Sequence, residues 1–181
     1  MATLELPAVR RIVTGTNLTG RSCIIEDGVS PAMQLTPGRE GFRNNNLWRT
    51  LGSDASVNAG DSVLEHRGVL PPKHGTVLRV IDIPPEDPNP AQHKRQTAAV
   101  FEAMFPDAKH NAEDSRHPGM HITNTVDYAI LLHGELVAIL EEAETVMRAG
   151  DILIQRGTNH AWANRSDAVA RIAFILVDAT R

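Results

Sequence analysis

The 181-residue sequence predicts an all-β protein, an antiparallel β-barrel or double-sheet jelly roll that carries an N-terminal strand extension and one short helix. Three observations lead there. Beyond residue 115, short runs rich in β-branched residues follow one another with turn chemistry between them, at Gly134-Glu135, Glu142-Ala143-Glu144 and Ala149-Gly150-Asp151. One stretch, residues 91–105, shows helical spacing. Polar side chains able to hold a metal or move a proton also recur at alternate positions in residues 121–134 and 150–164. In an extended chain residues two apart share a face, so His121, Thr123 and Asp127 point one way, and His160, Trp162 and Asn164 are in phase with one another.

Taken in order, residues 9–14 and 21–26 read as a strand pair joined by the polar loop 15–20, and Asp27-Gly28 and Ser30-Pro31 close the second strand. Residues 47–50 read as a further strand. Residues 52–75 are loop-like, a length that is uncommon unless the loop covers a site or packs on a neighbour. Residues 76–83 alternate as a strand with Arg79 at its centre, and the proline-rich 84–90 stops regular structure. The helix follows, with Thr97, Val100 and Met104 on one face and Gln92, His93, Lys94 and Arg95 read as a solvated face, until Pro106 ends it. Strands are then expected over 119–125, 126–133, 136–141, 145–148, 152–155, 158–164 and 169–177. This divides the chain into residues 1–115, the extension, loops and helix that pack on the barrel, and residues 116–181, the barrel core, within one structural domain.

Residues 126–133 are apolar on both faces, with Val126, Tyr128, Ile130 and Leu132 on one and Ala129 and Leu131 on the other. A strand buried twice needs a second sheet or subunit on its outer side, so a homodimer is expected, with Tyr128 packed in its interface. With 41% apolar and 22% charged residues the composition is globular, and a net charge of -4 gives no general attraction for nucleic acid or anionic membrane. No segment approaches the ~20 apolar residues that cross a bilayer. The single cysteine, Cys23, lies in an apolar run and reads as an inert packed thiol; one cysteine suits a reducing compartment. The first residues lack the charged start and apolar run of a signal peptide, and a cytoplasmic protein is the expectation.

The spacing His121-x-Thr123-x3-Asp127-x6-Gly134, followed by Gly150-Asp151-x5-Gly157-x2-His160-x3-Asn164, resembles the two motifs of the cupin superfamily, in the manner of its small single-domain bacterial and fungal members. The resemblance covers the C-terminal third to half of the chain and implies a cupin-type barrel with one internal metal. The family's first motif supplies two histidines and a glutamate, and here Thr123 stands at the second histidine and Asp127 at the glutamate. A hydroxyl is a poor substitute for imidazole on a divalent transition metal, whereas aspartate is an equally good oxygen ligand on a shorter arm.

What the resemblance leaves as ligands is His121, Asp127 and His160. Two histidines and a carboxylate on converging strands suit iron, and equally zinc, nickel or manganese. The resulting expectation is a small-molecule metalloenzyme, an oxygenase, isomerase or lyase on a planar, aromatic or carbonyl-containing metabolite, with His121, Asp127 and His160 also the catalytic residues. Thr123, Trp162, Trp48 and Arg49 are expected around the substrate. Two alternatives stand beside it. One is a metal-free acid–base isomerase or dehydratase in which Asp127 and a histidine pass a proton. The other is a non-catalytic sensor barrel. Arg79, like Arg49, is either paired or aimed at an anionic ligand, and a packed surface position is the preferred reading of both.

Overall fold

A computed structural model describes residues 5–114 and 116–181. Its strands are β1 (Arg10–Thr16), β2 (Ser22–Val29), β3 (Ala32–Leu35), β4 (Arg43–Thr50), β5 (Thr76–Ile83), β6 (Lys109–His110), β7 (His121–Ile122), β8 (Thr125–His133), β9 (Glu135–Leu140), β10 (Glu144–Arg148), β11 (Ile152–Arg156), β12 (His160–Ala163) and β13 (Ala170–Asp178). Helix α1 spans Pro90–Met104, and Val63–Glu65 form a short 3-10 turn. All described pairings are antiparallel, and the strands form a hairpin β1-β2, a five-stranded sheet β10-β9-β12-β7-β6 and a six-stranded sheet β11-β8-β13-β5-β4-β3. This is the expected all-β barrel of two facing sheets.

The core shows why the sheets face each other. One apolar cluster takes Val77, Leu131 and Ile172 from the six-stranded sheet, Leu136, Ala138 and Met147 from the five-stranded sheet, and Val100 and Met104 from α1. On β8 burial alternates, with Thr125, Asp127, Ala129 and Leu131 inside and Tyr128 and Leu132 exposed. The six-stranded sheet draws from both sides of residue 115, because β5 pairs with β13 over eight positions from Thr76↔Val177 to Ile83↔Ala170. Tight turns hold the register: Gly134 has φ +77 and its Cα approaches the Ala170 backbone so closely that a Cβ would sit 3.1 Å from it.

Two local expectations are corrected. The strand over 119–125 shrinks to His121–Ile122, because His117 turns the chain, accepting the Gly119 N–H on Nδ1 and the Met120 N–H on its carbonyl. On α1, His93 is not solvated but joins Thr97, Val100 and Met104 as a buried residue, on the one stripe that repeats every three to four residues. Asn89 caps the helix by accepting the Ala91 and Gln92 N–H groups, and Pro90 occupies the first turn, where its missing donor is harmless.

Candidate active site

Between the sheets, under α1, lies a cavity of about 100 Å³. Its walls are mostly apolar, with Phe101 and Phe105 on the α1 side and Trp162 and Phe174 on the sheets, and its polar residues include Arg79, His117, His121, Thr123, Asp127 and His160. Trp162 lines the cavity and stands edge-on to both His160 and Phe174, at 5.7 and 5.2 Å between ring centroids.

His121 and His160 are brought together by strand register. They are directly paired across β7 and β12, with ring centroids 4.2 Å apart. His121 Nδ1 meets the Gly119 carbonyl at 2.9 Å and His160 Nδ1 meets the Thr158 carbonyl at 3.0 Å. A carbonyl can only accept, so each Nδ1 carries the hydrogen and each Nε2 is left with a bare lone pair. Burial drives both rings to the neutral form: His121 falls to about 3, helped by the neighbouring His160, and His160 to about 4. Neutral imidazoles oriented by a backbone acceptor on the far nitrogen are the form that binds a metal.

Asp127 enters the same cavity from β8. Burial raises its carboxyl to about 6, against the opposing influence of the Thr125 hydroxyl and the Arg79 charge, and Oδ1 is buried without a partner. Thr123, at the position where an imidazole was expected by resemblance, is buried with its hydroxyl 2.8 Å from that of Thr125. The Thr125 hydroxyl in turn lowers the Asp127 carboxyl, so the hydroxyl pair lies beside the carboxylate.

Among the described residues, the three His, Cys, Asp or Glu side chains whose ligand atoms all lie within 4.8 Å of one another are Glu86, His93 and His117, and this cluster could hold a metal ion. Its hydrogen bonds point another way. His117 Nδ1 accepts the Gly119 N–H at 2.9 Å, which leaves the Nε2 hydrogen to be donated to Glu86 Oε1, also at 2.9 Å. An ion on Nε2 would force a hydrogen onto Nδ1, facing the Gly119 N–H. Burial pushes the Glu86 carboxyl up, but the His117 hydrogen bond foremost, with the Arg165 charge, leaves it below its ordinary value.

The remaining expected pocket residues lie elsewhere. Arg49 is tied at the strand end to Glu65 at 2.6 Å and Ser62 at 2.9 Å. Trp48 pairs with Leu78 after a register shift between Asn46 and Trp48, which places it on the face of β5 opposite Arg79. Neither lines the cavity. Arg79 is not at the surface but 1% exposed and part of the cavity wall. Gln155, which the sequence did not single out, is buried opposite Asp127 and accepts the Thr158 hydroxyl at 2.5 Å. Arg39 also lines the cavity, from a loop with no periodic signal.

A small two-sheet barrel with a pair of inward histidines and a carboxylate inside is the class that this fold and site define. No family model matches the chain. It is similar to phomopsin biosynthesis cluster protein C' of Diaporthe leptostromiformis, 42% identical over 62 residues, which are 33% of each chain. The chain thus matches about a third of that relative's length. Over nearly its whole length it is similar to the cupin-domain-containing oxidoreductase virC of Hypocrea virens, 25% identical over 188 residues, 98% of this chain and 81% of the relative. The cupin domain of Schizosaccharomyces pombe Cnp3 aligns with 93% of the chain and 87% of its own, at 9% identity and a TM-score of 0.45. Barrel, motif residues and full-length relatives together fit a member of the cupin superfamily.

Proposed function

We propose that the chain is a cupin-type oxidoreductase acting on a small metabolite, with a divalent transition metal held by Nε2 of His121 and His160 and with Asp127 as the carboxylate of the same cavity. The observation that carries this is the tautomer lock: two buried imidazoles in strand register, each with Nδ1–H on a carbonyl and each presenting a bare Nε2. The reading is supported by similarity to a cupin-domain-containing oxidoreductase, and by similarity over a third of the chain to a protein named for the biosynthesis of phomopsin, which favours a secondary metabolite.

A bound ion would supply Lewis-acid polarisation of a substrate oxygen. The chain's own residues do the rest. Near neutral pH a carboxyl at about 6 is present in both protonation states, so Asp127 Oδ1 can take a proton from a substrate carbon or oxygen and return it. The Thr125 hydroxyl favours its charged form, Trp162 aligns a planar substrate, and Phe101 and Phe105 keep water out. A second reading, metal-free acid–base catalysis by Asp127, is favoured by one observation: Asp127 lies outside the 4.8 Å spacing that would make it a third ligand beside both histidines. Metal analysis of protein produced without an affinity tag separates the two. Near-stoichiometric metal is expected, and its absence when iron, zinc, nickel and manganese are all supplied overturns the metal reading.

A further inference from the structure

Arg79 is the largest side chain in the fully buried core, at the centre of β5 where an apolar residue would otherwise pack. Its Nη2 is consumed by the protein, with His66 Nε2 at 3.0 Å, the Val69 carbonyl at 2.9 Å and the Gly68 carbonyl at 3.3 Å. Its Nε and Nη1 are buried and have no acceptor among the described residues, and the guanidinium faces the Phe105 ring at 5.5 Å. It forms no salt bridge with any described residue. A desolvated charge without an ion partner is strongly unfavourable, and the loop around it is built to keep it there. Asp107 accepts the Val69 and Leu70 N–H groups at 2.7 and 2.9 Å, which fixes the segment whose carbonyls hold Nη2. The long connection between β4 and β5 therefore occupies Nη2 and leaves the Nε–Nη1 edge of a cavity-lining residue unpaired.

We propose that the cavity takes a substrate bearing a carboxylate, bound by Nε and Nη1 of Arg79, with a planar aromatic or unsaturated body lying against Trp162 and Phe174. The charges on the wall fit a monoanion: Arg79 and Arg39 face a single carboxylate, Asp127. A phosphate, with a second charge and no further cation on the wall, is matched less well. The proposal rests on the reading of this cavity as the active site, and it places the anionic end on the six-stranded sheet and the reacting end toward His121 and His160 on the other.

The test is binding of benzoate, its neutral isostere benzamide and inorganic phosphate, followed by tryptophan fluorescence and calorimetry, with chelator present so that no bound ion can capture the carboxylate. Benzoate is expected to bind roughly 10- to 100-fold more tightly than benzamide, with phosphate unable to displace it. Arg79→Gln is expected to remove that preference without changing benzamide affinity. Should Arg79→Gln not fold, Asp127→Asn supplies the readout, because loss of the competing negative charge is expected to tighten benzoate severalfold and leave benzamide unchanged. Equal binding of benzoate and benzamide, displacement by phosphate, or an Asp127→Asn variant with unaltered benzoate affinity overturns the proposal. None of these outcomes bears on metal content, which is measured separately.

Discussion

His121 and His160 face each other across β7 and β12, each donating Nδ1–H to the carbonyl two residues before it, of Gly119 and Thr158. The repeated i−2 contact makes the two rings near-equivalent, with lone pairs on the same atom. Asp127 completes the polar part of the cavity from the other sheet, and its environment sets it apart by raising its pKa while both histidines are lowered.

Asp127→Asn tests the proton-transfer role. The change is nearly isosteric and removes a charge that burial disfavours, so the thermal midpoint should hold or rise. Turnover should fall by about 10²-fold or more, the usual contribution of a positioned acid–base group. A variant that retains turnover, or loses only substrate affinity, would favour a binding barrel.

Acid should destabilise the metal-free protein. His66, His121 and His160 are depressed from 6.5 to about 4, 3 and 4 respectively, chiefly by burial. Their contribution is complete above the unfolded value and is lost as pH falls through that window toward the folded values. Asp127 has the opposite sign: raised from 3.8 to about 6, it favours the fold at low pH and loses that contribution as pH rises through about 6. Three groups outweigh one, so the urea midpoint should drop between about pH 7 and about pH 4.5. A midpoint that stays level or rises would show that these rings are not buried as neutral imidazoles.

Gly68→Ala should loosen the support of Arg79. Gly68 has φ +74, and an added Cβ would collide with the Asp107 carboxylate, breaking the brace on Val69 and Leu70. A loss of about 1–3 kcal/mol is expected from denaturant unfolding. A neutral effect would mean that Asp107 moves aside freely.

We propose that the expected homodimer forms through the outer face of the six-stranded sheet. Tyr128 and Leu132 of β8 are 44% and 50% exposed, and Ile152 and Ile154 of the adjoining β11 are 62% and 48% exposed. A second copy of the chain on this face would cover a continuous apolar surface. Sedimentation should report a dimer that Ile154→Glu converts to monomer, and a monomeric wild type would remove the expectation.

How much of this was legible depended on whether the signal was local. Alternation showed Asp127 in phase with Ala129 and Leu131 on the buried face of β8, and turn glycines such as Gly134 marked the strand ends, because both are properties of neighbouring residues; that His121 lies on the facing sheet, across a break after Ile122, was not readable. Arg79 was misread as a surface cation since nothing near it in sequence shows that residues 66–69, brought over from a long loop, would bury it and occupy Nη2. Trp48 was displaced by a bulge in β4 that the Asn44-Asn45-Asn46 run does not announce, and Arg49 by its ties to Ser62 and Glu65 at the strand end. His93 was within reach, because its spacing to Thr97, Val100 and Met104 already describes one helical stripe.

The most direct test of the central claim compares metal content in two paired variants of untagged protein. The account predicts that His121→Ala/His160→Ala loses the metal while His93→Ala/His117→Ala keeps it, since His117 Nε2 is committed to Glu86 and the cavity histidines are free at Nε2. Metal retained in the first variant and lost in the second would contradict it and move the centre to Glu86, His93 and His117.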